Sequence, residues 1–488
     1  MDKKFIKGLL AFLGFILGNV LYTLTFKVIA YFLFIIAGCT ILFAPMNICI
    51  FIFFLYLGVE GFAKLLSAYN PIIHVGADIF IFSLWSRIGF RLITRQAQIP
   101  RQFPPLTLLF IIHFCWFSIT ILNPYSLSFL ASLAGMKLYV TIISLYFFGY
   151  ALAESIDQVR FFMIPWVIVA FFQTGTSLYQ ASIGPSSVLS ISPYYGYALE
   201  KLGNYAFRPF GLTSLPGLPS IFIYLAAPFL IYFIFYSKNF WYALFLAAIL
   251  PFSGITLFVC QIRSALLKSL FGIFSYFLIT LSRFPSLNHK TKKILLMGVP
   301  LCIGSLFITG PFLTQQLLKQ HADNQRAIER SLTLFDYNNV SQARDGALNR
   351  FLTYAKLAPL GAGLSRVGAA AGKFANLNEV DRNFPFTFFS DNLWVELVVD
   401  LGLPGTFIYT CILVMIFFYG ISNYLRLQNE ALKGIYGAIL CALIAIFLGA
   451  YGAEPLLYNP EGSFFWFFSG VLMRLPSLDQ SPTKDDLP

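Results

Sequence analysis

Charge is what this chain has least of. Only 11% of its 488 residues are Asp, Glu, Lys or Arg, and 58% are hydrophobic, whereas soluble domains carry about 25% charged and about 45–50% apolar residues. So little polar surface cannot cover a water-soluble fold, and the composition predicts a polytopic integral membrane protein. Histidine is nearly as scarce. His74, His113, His289 and His321 are scattered, with no Cys or His cluster beside them, so neither a metal-ligand constellation nor a cofactor is expected. The seven cysteines (39, 49, 115, 260, 302, 411 and 441) are odd in number and lie in or at the edge of apolar segments. Free, buried thiols are expected rather than a disulfide framework. Also missing is an A-x-A-like cleavage site after MDKKFIKGLLAFLGFILGNV, so this run reads as an uncleaved first span. No convincing internal repeat is found.

What is there instead is a series of long apolar runs. A helix that crosses the hydrocarbon needs about 20 mostly apolar residues, and only helices or closed barrels satisfy their backbone groups in lipid. The runs are much longer than barrel strands, so they predict an all-α fold of about 12–14 transmembrane helices in a single membrane domain over 1–488. The expected spans lie near 6–25, 28–45, 46–66, 71–86, 104–122, 137–155, 160–180, 216–236, 239–259, 264–282, 294–312, 392–418, 432–450 and 463–474. Short loops rich in Lys and Arg stay cytoplasmic. Lys3, Lys4 and Lys7, then Arg87, Arg91, Arg95 and Arg101, then Arg283, Lys290, Lys292 and Lys293, then Arg426 and Lys433 all fall on one side when these spans are threaded. The amino terminus and the tail 475–488 are therefore expected inside, and two longer loops, 181–215 and 313–391, outside.

The second loop holds Lys319, Arg326, Arg330, Arg344, Arg350, Lys356, Arg366, Lys373 and Arg382 against six acidic residues before Asp391. Long loops are largely exempt from the charge rule. One reading rests these side chains on anionic lipid headgroups, at about 1 kcal/mol each. The other notes that six of the nine are arginine, whose planar fork suits bidentate binding of phosphate oxygens. Within the loop, QQLLKQHADNQRAIERSLTLF reads as a helix along the membrane surface, and SQARDGALNRFLTYAKLA, 341–358, as a second helix with Ser341 as its cap. The apolar repeat there is Leu348, Phe351, Leu352 and Ala355, and Arg350 shares a face with Gly346, Ala347 and Tyr354.

Carboxylates inside spans are costly and draw notice at Glu60, Asp78, Glu154, Glu396 and Asp400. Glu60 and Lys64, at helical spacing, are expected to neutralise each other. Asp391 fits two roles, an N-cap for the span that follows or a general base. Glu396, about a turn further on, is the alternative base. Arg263, between two apolar runs, fits a snorkelling side chain as well as a ligand-binding one. Arg208 lies in a turn-rich loop with Phe207, Pro209 and Gly211. The aromatic run 383–389 suits an interfacial belt or a surface for stacking on sugars.

The run from RFLTYAKLAPLGAGL, beginning at Arg350, to DNLWVELVVDLGLPGTF resembles the shared region of the bacterial O-antigen polymerase and O-antigen ligase superfamily. There an Arg-led helix precedes a P-x-x-G-x-G-like turn and then a span that opens on His or Asp followed by Asn. FRPFGLTSLPG around Arg208 and CQIRSALL around Arg263 are similar to two further arginine positions, so the resemblance covers residues 200–420. It implies an inner-membrane, metal-independent glycosyltransferase acting on polyprenyl-diphosphate-linked glycans at the periplasmic face. It implies that Arg208, Arg263 and Arg350 bind diphosphate; read with it, the residues themselves add Arg344 to that set, give Arg350 a catalytic part in stabilising the leaving charge, and leave Asp391 or Glu396 as base. Membrane lipids and a chain-length regulator are the other implied partners, and nucleic acid is not one. Ligases of the superfamily carry a histidine where Asp391 stands, which favours a polymerase and leaves transfer of the glycan to lipid A-core as the alternative. A transporter is the alternative of another class.

Overall fold

A computed structural model describes residues 44–67, 76–94, 103–126, 128–191, 194–196, 207–237, 239–282, 337–367, 392–451 and 453–479. Among them the chain is helical, with no strand. The helices are α1 (Met46–Leu66), α2 (Gly76–Ile93), α3 (Thr107–Ile121), α4 (Phe129–Leu152), α5 (Ile156–Ile191), α6 (Pro219–Tyr236), α7 (Phe240–Cys260), α8 (Arg263–Ser282), α9 (Tyr337–Leu357), α10 (Leu393–Arg426), α11 (Glu430–Gly449) and α12 (Glu461–Arg474). Eight of these, α1, α4 to α8, α10 and α11, are long and apolar enough to cross a membrane. The chain is thus a multi-pass membrane protein by helix length and composition. The expected spans 6–25, 28–45 and 294–312 lie outside the described residues, as do the expected surface helix before residue 336, Cys39 and Cys302.

The residues fall into two compact units. Unit 1 takes in Met1–Ile99, Ser155–Phe335 and Gly437–Ala442. Its α5 packs on α1, α6 and α7, and α6 also packs on α8. Close approach depends on small residues here, as it does between membrane helices generally. At Gly58 of α1 a Cβ would meet the Val169 side chain of α5 at 2.5 Å. The expected Glu60–Lys64 pair is formed, at 3.0 Å.

Unit 2 comprises Pro100–Glu154, Asp336–Tyr436 and Leu443–Pro488. Here α12 packs on the second half of α4, α10 on α3, and α9 on α10. Gly470 of α12 lies so close to α4 that a Cβ would sit 2.7 Å from Tyr150 N. Five residues of α4, Lys137–Thr141, form a π turn, which carries Tyr139.

Two of the long helices are broken, one of them inside an expected span. In α5 the chain leaves helical geometry at Gly184 (φ 81°, ψ 174°), so residues beyond it, expected as loop, are a short separate helix up to Ile191. In α10 the break is at Gly402 (φ 70°, ψ −176°), in the middle of the apolar run. Hydropathy does not register such breaks, because a glycine in the left-handed region interrupts the winding without interrupting the apolar sequence. Two of the described cysteines also depart from expectation: Cys49, Cys260 and Cys441 are buried free thiols, whereas Cys411 is half-buried and Cys115 exposed.

Candidate functional site

In unit 2 the site is built on α9. This helix begins at Tyr337, so Ser341 lies inside it rather than capping it; no Gly or Pro interrupts the preceding turn. Its buried residues include Ala347 and Tyr354, and Tyr354, with Phe351, Ala355 and Ala358 just past the helix end, packs against Val395, Val398 and Val399 of α10. Leu348 and Leu352, expected on the apolar face, are 56% and 48% exposed. Arg350 flanks these buried residues and is exposed, its Nε donating to the Gly346 carbonyl at 3.0 Å. A Cβ on Gly346 would lie 3.8 Å from the guanidinium, at Nη2. Arg344 lies on the same helix, and its side chain is outside the described residues.

After α9 the chain makes a turn through Pro359–Val367 that interlocks with the break in α10. Gly361 (φ 91°) and Gly402 meet backbone to backbone, and a Cβ on Gly361 would lie 2.7 Å from Gly402 N. The peptide groups freed by the break are taken up across this contact, as buried backbone in a membrane protein requires. Leu403 N donates to the Pro359 carbonyl at 2.8 Å, and Ala362 N to the Val399 carbonyl at 2.6 Å. Trp116 of α3 donates to the Leu401 carbonyl at 2.8 Å, and Asn123 Nδ2 to the Gly361 carbonyl at 2.9 Å.

Asp400 closes the arrangement. Fully buried, its carboxylate accepts the backbone N–H groups of Ser365 and Arg366 and the Tyr139 hydroxyl, each at 3.1 Å. The π turn carries that tyrosine. Arg366 in turn donates through Nη1 to the Tyr125 carbonyl at 2.8 Å. Asp400, noted in the sequence only as a costly carboxylate, is thus the anchor of the turn that follows α9.

Asp391 lies outside the described residues, but the cap of α10 is assigned elsewhere. Asn392 Oδ1 accepts from Trp394 N at 3.0 Å and Val395 N at 3.2 Å, while its Nδ2 donates to the Tyr451 carbonyl at 2.7 Å. The capping role considered for Asp391 therefore belongs to its neighbour, because an amide both accepts from the helix and donates to the loop, and a carboxylate only accepts. Glu396 is fully buried, and Tyr458 donates to its Oε1 at 3.1 Å. The Glu454 carboxyl lies within hydrogen-bonding reach of the same group. Burial, then the charges of Glu396 and Glu454, push the Tyr458 phenol well above its ordinary range, so it remains a donor.

In unit 1 the arginine expected in a turn-rich loop is buried. Arg208 is 7% exposed and sits at the start of a non-helical segment, 207–218, that lies against α1. Phe62 N of α1 donates to the Leu212 carbonyl at 3.0 Å. At Gly61 a Cβ would come within 2.6 Å of the Thr213 backbone. Two glutamines of α5 satisfy the middle of the segment. Gln173 accepts from Leu212 N at 2.9 Å and donates to the Gly58 carbonyl at 2.7 Å. Gln180 accepts from Phe210 N at 2.9 Å and Gly211 N at 2.7 Å, and donates to the Gly211 carbonyl at 3.0 Å. The Tyr195 hydroxyl donates to the Arg208 carbonyl. Arg263 is half-buried at the first position of α8, and Lys268, which the sequence reading passed over, is buried further along the same helix with its Nζ 3.4 Å from the Tyr224 hydroxyl.

The six residues singled out from the sequence therefore divide, with Arg208 and Arg263 in unit 1 and Arg344, Arg350, Asp391 and Glu396 in unit 2. The residues missed are Gln173, Gln180, Tyr139, Glu454 and Tyr458. A signal existed for the glutamines, since Gln173, Ser177 and Gln180 recur at helical spacing in an otherwise apolar run. No protein-family model matches the chain, and no curated protein matches it either.

Proposed function

We propose that this protein is a metal-independent glycosyltransferase that polymerises polyprenyl-diphosphate-linked oligosaccharide repeat units at the periplasmic face of a bacterial inner membrane. The observation that carries the reading is the interlock of Gly361 with Gly402. The Arg-led helix with its glycine turn and the span opening with its glycines are separate stretches of sequence, and the resemblance to O-antigen polymerases rests on both. Their backbones are in contact, as parts of one working element should be.

In this reading α9 and the turn after it belong to a large periplasmic loop, and both termini are cytoplasmic. Breaking a sugar–diphosphate bond develops negative charge on the departing diphosphate. In unit 2 Arg350, with Arg344, holds such a group and stabilises the charge, and in unit 1 Arg208 with Arg263 is a diphosphate-binding pair in its own right. Asp391 takes the proton from the acceptor hydroxyl of a second lipid-linked unit, a step worth about 10²–10⁴-fold. The assignment of the cap to Asn392 leaves Asp391 available for this, and Glu396 is the alternative. The presence of Asp391 where ligases carry histidine favours polymerisation over transfer to lipid A-core.

The test is polymerisation of a lipid-linked repeat unit by purified protein in liposomes. Longer glycans are expected with the wild type, and few or none with Arg350→Lys or Arg350→Ala, because lysine keeps the charge but loses the fork. Asp391→Asn is expected to lose most of the rate. Full polymerisation by all three variants removes the reading. A second reading, a transporter, has the breaks at Gly184 and Gly402 in its favour, since interrupted helices frame substrate sites in many transporters. Uptake of solute by the same liposomes without glycan growth would select it.

A further inference from the structure

Arg208 stands in non-helical chain within unit 1, and side chains reaching over from elsewhere hold the backbone on both sides of it. Gln261 donates to the Phe207 carbonyl at 3.2 Å, and Tyr195 to the carbonyl of Arg208 itself. Gly217 N closes on the Pro209 carbonyl at 2.8 Å. Gln180 does the most. One side-chain oxygen accepts two successive N–H groups, of Phe210 and Gly211, and the amide of the same side chain returns to the Gly211 carbonyl. Three bonds from one neutral group to two consecutive residues fix the orientation of a peptide plane as well as its position. Gln180 is 4% exposed, so water does not compete for these bonds.

We infer that Gln180 is a positioning residue for Arg208: by clamping Phe210 and Gly211 it sets where the Arg208 guanidinium stands. The inference rests on the reading of Arg208 as a diphosphate-binding residue. A guanidinium stabilises developing charge best when it is already in place and need not reorganise. Displacing it by about 1 Å costs on the order of a hundredfold in rate. A merely structural glutamine would satisfy the same buried N–H groups but would have no energetic connection to Arg208, and that connection is what separates the two roles.

Gln180→Met keeps the length and volume of the side chain and removes all three bonds. In liposomes, kcat for the lipid-linked donor is expected to fall about a hundredfold per folded molecule. In an Arg208→Lys background, where the guanidinium is already lost, the same substitution is expected to lower kcat by less than about threefold, because coupled residues are non-additive. An equal fall in both backgrounds overturns the inference, and so does a wild-type kcat in Gln180→Met alone. Should Gln180→Met not accumulate, Gln180→Asn carries the same cycle, since it keeps a neutral amide but draws it back by one methylene from all three groups. Wild-type rates in both Arg208→Lys and Arg208→Ala remove the diphosphate reading itself. A slow Arg208→Lys enzyme to which Gln180→Met adds its full effect removes only the positioning role.

Discussion

Both units carry non-helical chain in an apolar setting, and they hold it by different means. In unit 1, segment 207–218 is satisfied by neutral side chains: Gln173 and Gln180 reach across from α5 and bond to peptide groups that have no helical partner. In unit 2, the turn 358–367 is satisfied mainly by other backbone, at a contact between Gly361 and Gly402 too close for any side chain, with the carboxylate of Asp400 at its edge. The difference lies in tolerance. A side-chain clamp fails one bond at a time, even where, as at Gly61, the backbones it joins also lie close. A backbone interlock leaves no room, and one added methyl group breaks it.

That contrast orders the effects of substitution. Gly402→Ala is expected to do most damage. Its Cβ would lie 2.7 Å from Leu360 Cα, at a φ of 70°, so strain of about 1–2 kcal/mol adds to overpacking of about 1–3 kcal/mol. Thermal unfolding of purified protein should show a large loss, or the protein should fail to accumulate, and a wild-type midpoint would break the comparison. Asp400→Ala comes next: it strands two buried N–H groups and the Tyr139 hydroxyl, at about 1–3 kcal/mol each, but loss of a carboxylate that is costly to bury offsets a large part of this. Gln173→Met is expected to cost less than Asp400→Ala in the same measurement, since it frees only Leu212 N and the Gly58 carbonyl. An unfolding midpoint below that of Asp400→Ala would reverse the ranking. Arg350→Ala should leave stability within about 0.5 kcal/mol, because the exposed guanidinium bonds only one turn back along its own helix. A large loss of stability there would make Arg350 structural and weaken its proposed role.

Much of the fold is legible in the sequence, since a hydrocarbon solvent leaves the chain few choices. The helices α1, α6, α7, α8 and α11 lie within a few residues of the spans expected from hydropathy, and Glu60 pairs with Lys64 as their spacing predicts. What the sequence hides is where a span stops being a helix. Gly402 looks like any glycine in an apolar run, and its φ follows from contact with the distant turn at Leu360 and Gly361. The site was legible to a similar depth. Arg350 stands on a helix beside Ala347 and Tyr354 as their spacing predicts, but these two are buried while Leu348 and Leu352 are exposed, because α9 packs against α10 and not through its own most apolar face. Asp400 and Tyr139 meet across 261 residues, which no local pattern can indicate.

The π turn at Lys137–Thr141 has a consequence for chain length. A wider turn accommodates a residue that an α-helix would not, so α4 behaves as a helix with a one-residue insertion around which its neighbours have been arranged. Ahead of the turn, Gly135 faces Leu364 and Ser365; beyond it, Gly149 faces Phe467 and Val471. Rewinding the bulge as regular α-helix with no residue removed would rotate one half of α4 against the other by roughly 100°. Either Gly135 would lose its place over the turn or Gly149 would lose α12. Deleting Val140 as well would keep both faces where they are, so positions 137–141 can lose one of their number more readily than they can lose their π turn.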